Sequence, residues 1–150
     1  MRALLEFATA VAVLWVPIAL AQEMPDYHGR WHGAFLMAAG AGAGGVSRPS
    51  QVHQGTIDIA TDGLVRGSVT EAGCTLTGSS SAYVSGANAT LELTLAGCAD
   101  ARFNGRYSGK LIGNPSLGYA SLRLGASSAA SGSGSAADGT GPQLSAIVRH

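Results

Sequence analysis

His28 and His32 stand four residues apart with Arg30 between them. On a helix that spacing stacks two imidazoles over one face and can hold a metal ion. Here the surrounding pattern alternates instead: Trp31, Gly33, Phe35 and Met37 share one parity, and the two histidines share the other. An extended chain rises ~3.3 Å per residue, which sets the imidazoles about 13 Å apart and prevents them from chelating one ion unaided. They read as solvated surface histidines. His53 and His150 have no obvious neighbours in sequence. Glycosidase chemistry needs two carboxylates facing one bond, and the candidates are Asp58, Asp62, Glu71, Glu92, Asp100 and Asp138. Most of them fall in turns or on wet strand faces. The serines sit in Ser/Gly/Ala runs rather than in a Gly-x-Ser-x-Gly elbow. No set of residues names a reaction, so the chain reads as non-enzymatic, with no metal and no cofactor.

Cys74 and Cys98 carry the other possible chemistry, and their compartment decides it. Residues 1–21 have the form of an export signal: Arg2, an apolar run from Phe7 to Ile18 broken by Pro17, and a small-x-small ending at Ala19-Leu20-Ala21. That run falls short of the ~20 residues a spanning helix needs. Cleavage would leave Gln22 first, with no cysteine there to take a lipid, and a periplasmic or extracellular address in a bacterium. Thiols oxidise in such compartments, whereas a redox or metal role would show CxxC or clustered partners. Cys74 and Cys98 are equidistant from Gly86, which lies in the turn Ser85-Gly86-Ala87-Asn88, so the expectation is one disulfide across a hairpin. Leu76 is even while Leu91, Leu93 and Leu95 are odd, and one shared face therefore requires a one-residue offset, placed at Gly97.

Period-two alternation governs the elements that must position these residues. Arg102 to Lys110 places Phe103, Gly105, Tyr107 and Gly109 on one side and Arg102, Asn104, Arg106, Ser108 and Lys110 on the other. Ala89 to Leu95 repeats the pattern with three leucines opposite Thr90, Glu92 and Thr94. Shorter alternations run through Trp31–Met37, Ile57–Ile59, Val65–Val69, Cys74–Gly78 and Ala120–Leu124, and a last strand spans Leu144–Arg149 with its phase open. No stretch after the signal keeps helical apolar spacing. Asp62-Gly63 predicts a type I′ hairpin, and Gly113-Asn114-Pro115 predicts another break. The expected fold is all-β: one domain, residues 22–150, forming an eight-stranded antiparallel up-and-down barrel with one disulfide.

Consecutive pairing puts the loops after strands 1, 3, 5 and 7 at one end. The two long connections, 38–50 and 125–143, are Gly/Ala- and Ser/Ala/Gly-rich and would sit side by side there, forming a flexible, loop-lined rim. An apolar interior below it would be lined by Phe35, Met37 and Tyr107, the candidate ligand-binding residues. Glycines at 33, 67, 78, 105 and 109 share the inner face and point to sharp bending or close backbone approach. Nine basic and nine acidic residues give a net charge of zero, and the basic ones are scattered singly without interleaved aromatics. That excludes a nucleic-acid partner.

Gly29-Arg30-Trp31-His32-Gly33 resembles the GxW opening of lipocalin-like (calycin) barrels. The resemblance implies that Trp31 closes the barrel floor under a basic residue from near the last strand, and here Arg149 arrives at that end. Avidins open similarly, but their site uses several tryptophans, and one remains in this chain after the signal. Small bacterial metalloprotease inhibitors are similar too, with a short trunk before a GRW sequence, here Gln22 to His28. Outer-membrane barrels need strands of ~9–11 residues and aromatic girdles, which strands 2 and 3 do not suggest. The expected function is an exported barrel that binds a small apolar ligand or a protein partner at its rim. A protease inhibitor acting through its trunk, and an envelope structural protein or small outer-membrane barrel, are the alternatives.

Overall fold

The computed structural model describes residues 26–40, 49–82, 88–127 and 141–150. Residues 1–21, expected to be an export signal, residues 22–25 of the expected trunk, most of both long connections and the expected turn around Gly86 lie outside the described residues. Eight strands follow one another: β1 (Gly29–Ala38), β2 (Gln51–Ile59), β3 (Leu64–Val69), β4 (Cys74–Ala82), β5 (Asn88–Ala96), β6 (Gly105–Asn114), β7 (Tyr119–Ala126) and β8 (Gln143–Arg149). Each pairs antiparallel with its chain neighbours, and β8 returns to β1, so the sheet closes into the expected meander barrel.

Alternation makes the barrel because one parity must leave water. Leu91, Leu93 and Leu95 of β5 are buried, while Glu92 and Thr94 between them are exposed. Among the described residues every buried side chain is apolar or aromatic, and no polar or charged residue is buried. The open phase of β8 resolves with Leu144, Ala146 and Val148 inward and Ile147 outward. Periodicity left it ambiguous because Ile147 is as large and apolar as its buried neighbours.

Close backbone approach explains four of the inner-face glycines, at 33, 67, 78 and 109, whereas Gly105 is exposed, has nothing within 4 Å of a Cβ, and starts β6 with φ +153°. At Gly109 of β6 a Cβ would sit 1.9 Å from the Arg123 carbonyl oxygen on β7, inside any allowed contact. The missing side chain lets adjacent strands bend around a small ring; it does not make room for a guest.

Cys74 and Cys98 form the disulfide, with Cα atoms 4.1 Å apart. The β4–β5 ladder pairs Thr75 with Ala96, a register that would put Cys74 opposite Gly97. Gly97 instead takes φ +71°, and that left-handed step carries Cys98 forward to meet Cys74. The offset falls where the mixed parity of the leucines had required it.

Two local expectations change. The turn between β2 and β3 is not a two-residue type I′ turn. Gly63 N donates to the Ala60 carbonyl at 2.9 Å, Gly63 has φ +84°, and Asp62 Oδ1 accepts from Leu64 N at 2.9 Å. That is a three-residue loop closed by a left-handed glycine. Residues Arg102 to Asn104 do not belong to the sixth strand. Ala101–Phe103 form a 3-10 turn capped by Asp100, whose Oδ1 accepts from Arg102 N, and Asn104 Oδ1 accepts from Cys98 N at 3.0 Å. Side-chain acceptors bend the backbone there before β6 begins at Gly105.

Candidate functional site

Phe35, Met37 and Tyr107 meet inside the barrel as their parity predicts, with relative exposures of 0, 1 and 2 %. All three belong to the continuous buried core of the barrel. The Tyr107 hydroxyl donates to the Phe103 carbonyl at 3.0 Å, which satisfies its one polar atom without solvent. Burial pushes its pKa from 10.0 up to about 12. Phe103 is buried as well and caps the interior at the disulfide end.

The opposite end is sealed around Trp31, which is 1 % exposed. Its Nε1 donates to the Tyr27 carbonyl at 2.8 Å, and the two rings lie 6.0 Å apart. The Tyr27 hydroxyl reaches across the floor to the end of β6, accepting from Gly113 N at 3.0 Å and donating to Gly113 O at 3.2 Å. Burial raises the Tyr27 pKa, with the Gly113 hydrogen bond acting against it. Under the indole lies His150, edge-on at 5.1 Å.

Arg149 does arrive beside Trp31, in register with His32, but it has the outward parity of β8 and is exposed. The ring contacts to Trp31 come instead from Tyr27 and His150. Neither residue carried a periodic signal. Tyr27 sits in a trunk with no alternation, and His150 follows the last strand position.

Polar side chains at the disulfide end pair among themselves. Asp100 binds Arg102 in a forked ion pair. His53 is bracketed by Glu71 at 3.3 Å and Gln51 at 3.1 Å, so both ring nitrogens are engaged. His28 pairs with Asp26 at 2.5 Å, far from His53 along the chain. Among the described residues, no three of His, Cys, Asp and Glu gather closely enough to hold a metal ion.

Compared with known proteins, the chain matches no family model, no curated protein and no solved structure. The barrel's own geometry is therefore what supports a functional reading.

Proposed function

We propose that this chain is an exported, non-enzymatic barrel that binds a partner at the rim formed by the ends of β1, β2, β7 and β8. The observation that supports it is the burial of Phe35, Met37 and Tyr107 in one continuous core, which favours recognition on the outside of the barrel. The disulfide ties the ends of β4 and β5 at that same rim, and it supports an oxidising compartment. The outward strand positions carry Arg66, Glu92, Arg106, Lys110 and Arg123 around an apolar core, the inverse of a lipid-embedded barrel.

A photo-crosslinking residue placed at Gln51 or Gln143, the rim ends of β2 and β8, tests this in the exporting host. Adducts from these positions and none from Arg66 on the mid-wall are expected. Equal adducts from Arg66, or a small molecule retained in native mass spectrometry, would overturn it.

The Tyr27 bracket favours a second reading, inhibition of a protease through the trunk. Tyr27 fixes the base of that segment to Gly113, so it belongs to the floor, and the part available to a protease ends before it. Deleting residues 22–25 should then abolish inhibition of envelope proteases while Trp31 emission stays unchanged. Inhibition that survives the deletion removes this reading.

A further inference from the structure

On the outer wall the ladders of five strands align residues that are far apart in sequence. One row runs Lys110, Arg123, Ser145, Leu36, Val52, and the next runs Ile112, Ser121, Ile147, Ala34. Ile147 is 70 % exposed and Val52 60 %. Among the described residues, Leu64 alone of the large exposed hydrophobics is neither on these strands nor in the turn joining two of them. Between the rows lies a shallow groove of about 460 Å³, lined by Leu36, Val52, Ser121, Arg123, Ser145 and Ile147.

Charge is distributed just as unevenly. Strands β6, β7, β8 and β1 contain no Asp or Glu, yet they carry Arg30, Arg106, Lys110, Arg123 and Arg149. Lys110 and Arg123 are direct cross-strand partners, and among the described residues neither forms an ion pair. Like charges in that position weaken a sheet. Arg30 pairs with Asp58 of β2 at 3.5 Å. A net charge of zero thus conceals a wall on which a local cost is kept at Lys110 and Arg123, with apolar side chains set around them.

We propose that this wall docks on the surface of an anionic lipid bilayer, with Lys110, Arg123 and Arg149 against phosphates and Leu36, Val52, Ile112 and Ile147 at the headgroup boundary. Charge complementarity selects this occupant. A second copy using the same wall would bring the acid-free β6, β7, β8 and β1 against their like, with Asp58 of β2 at the margin already paired with Arg30. An extended peptide gains most from hydrogen bonds to a free sheet edge, and a closed barrel offers none. A lipid surface needs only cations and apolar contact, each nearby Lys or Arg strengthening binding by about five-fold. The docking is peripheral, on a wall that adjoins the rim at Leu36 and Val52.

Co-sedimentation of the purified oxidised protein with phosphatidylglycerol/phosphatidylcholine vesicles, against pure phosphatidylcholine, tests the proposal. Binding to the anionic vesicles alone, weakened by salt, is expected. Lys110→Gln with Arg123→Gln should weaken it about thirty-fold, while Arg66→Gln on β3 should leave it unchanged. Removing an opposed like-charge pair should not lower the melting temperature, so lost binding in that variant cannot be ascribed to unfolding. Ile147→Ser with Val52→Ser should weaken binding and preserve its salt dependence. Equal binding to neutral vesicles, no binding, or indifference to the Lys110/Arg123 change would overturn the proposal. So would binding to soluble polyglutamate but not to vesicles, or concentration-dependent dimerisation that Ile147→Ser abolishes.

Discussion

Removing the disulfide should cost the barrel between about a quarter and about two-thirds of its stability. Cys74 and Cys98 are 24 residues apart in sequence, so the bond closes a loop of about 25 residues in the unfolded chain. The chain-entropy relation gives about 12 cal/mol/K for that loop, or about 3.5 kcal/mol at 25 °C. A small domain holds about 5–15 kcal/mol in total. Both cysteines are buried, at 1 and 8 %, so Cys74→Ala with Cys98→Ala adds a small packing loss in the same direction. Urea titration followed by the emission of Trp31, buried when folded, measures the difference between the oxidised protein and the double variant. A loss of about 3–4 kcal/mol with a steeper-than-wild-type dependence on urea is expected, since the untethered unfolded chain exposes more surface. A loss below about 1 kcal/mol would refute the reasoning. It would mean that the β4–β5 ladder already holds these ends together in the unfolded ensemble.

Gly109→Ala should destabilise by at least about 2 kcal/mol, because its methyl would meet the Arg123 carbonyl of the next strand; an unchanged urea midpoint would show that the ring can open locally. Tyr27→Phe removes both hydrogen bonds to Gly113 and should cost about 1–2 kcal/mol, read by thermal unfolding, with Trp31 emission moving to longer wavelength as the floor loosens. Ionisation of Tyr107 gives a base-side loss of stability. Its folded pKa lies near 12 against 10.0 unfolded, so the contribution is complete below pH 10 and falls as pH rises toward 12, by about 2–3 kcal/mol. Tyr107→Phe should flatten that part of the stability profile; a profile identical to wild type would place the tyrosine outside the core.

The number of strands, their order and the buried parity were legible because alternation repeats in almost every segment and the turns are short. The disulfide followed from symmetry about Gly86, and its one-residue offset from the mismatch between Leu76 and Leu91–Leu95. Arg102 to Asn104 misled for a definite reason. Their side chains alternate like a strand, but Asp100 and Asn104 supply acceptors that bend the backbone, a competition that apolar patterning does not register. Trp31 as a buried floor residue was legible from its parity and the GxW likeness, whereas its companions were not. Tyr27 acts across 86 residues to Gly113, and no local pattern encodes such a reach. The cationic wall was hidden for the same reason. Lys110 and Arg123 look solitary along the chain and become neighbours only when β6 and β7 are laid side by side, with Arg149 further along the same wall at the end of β8.

Seven of the eight seams in this cylinder join consecutive strands, and the eighth joins β8 to β1, with Arg149 facing His32 across nearly the whole domain. Loop-closure entropy makes that last seam the slowest to zip and the first to part. Its outer surface is Ala34, Leu36, Ser145 and Ile147, the middle of the acid-free wall. Anything that settles there spans the join between the first and last staves and holds the cask shut.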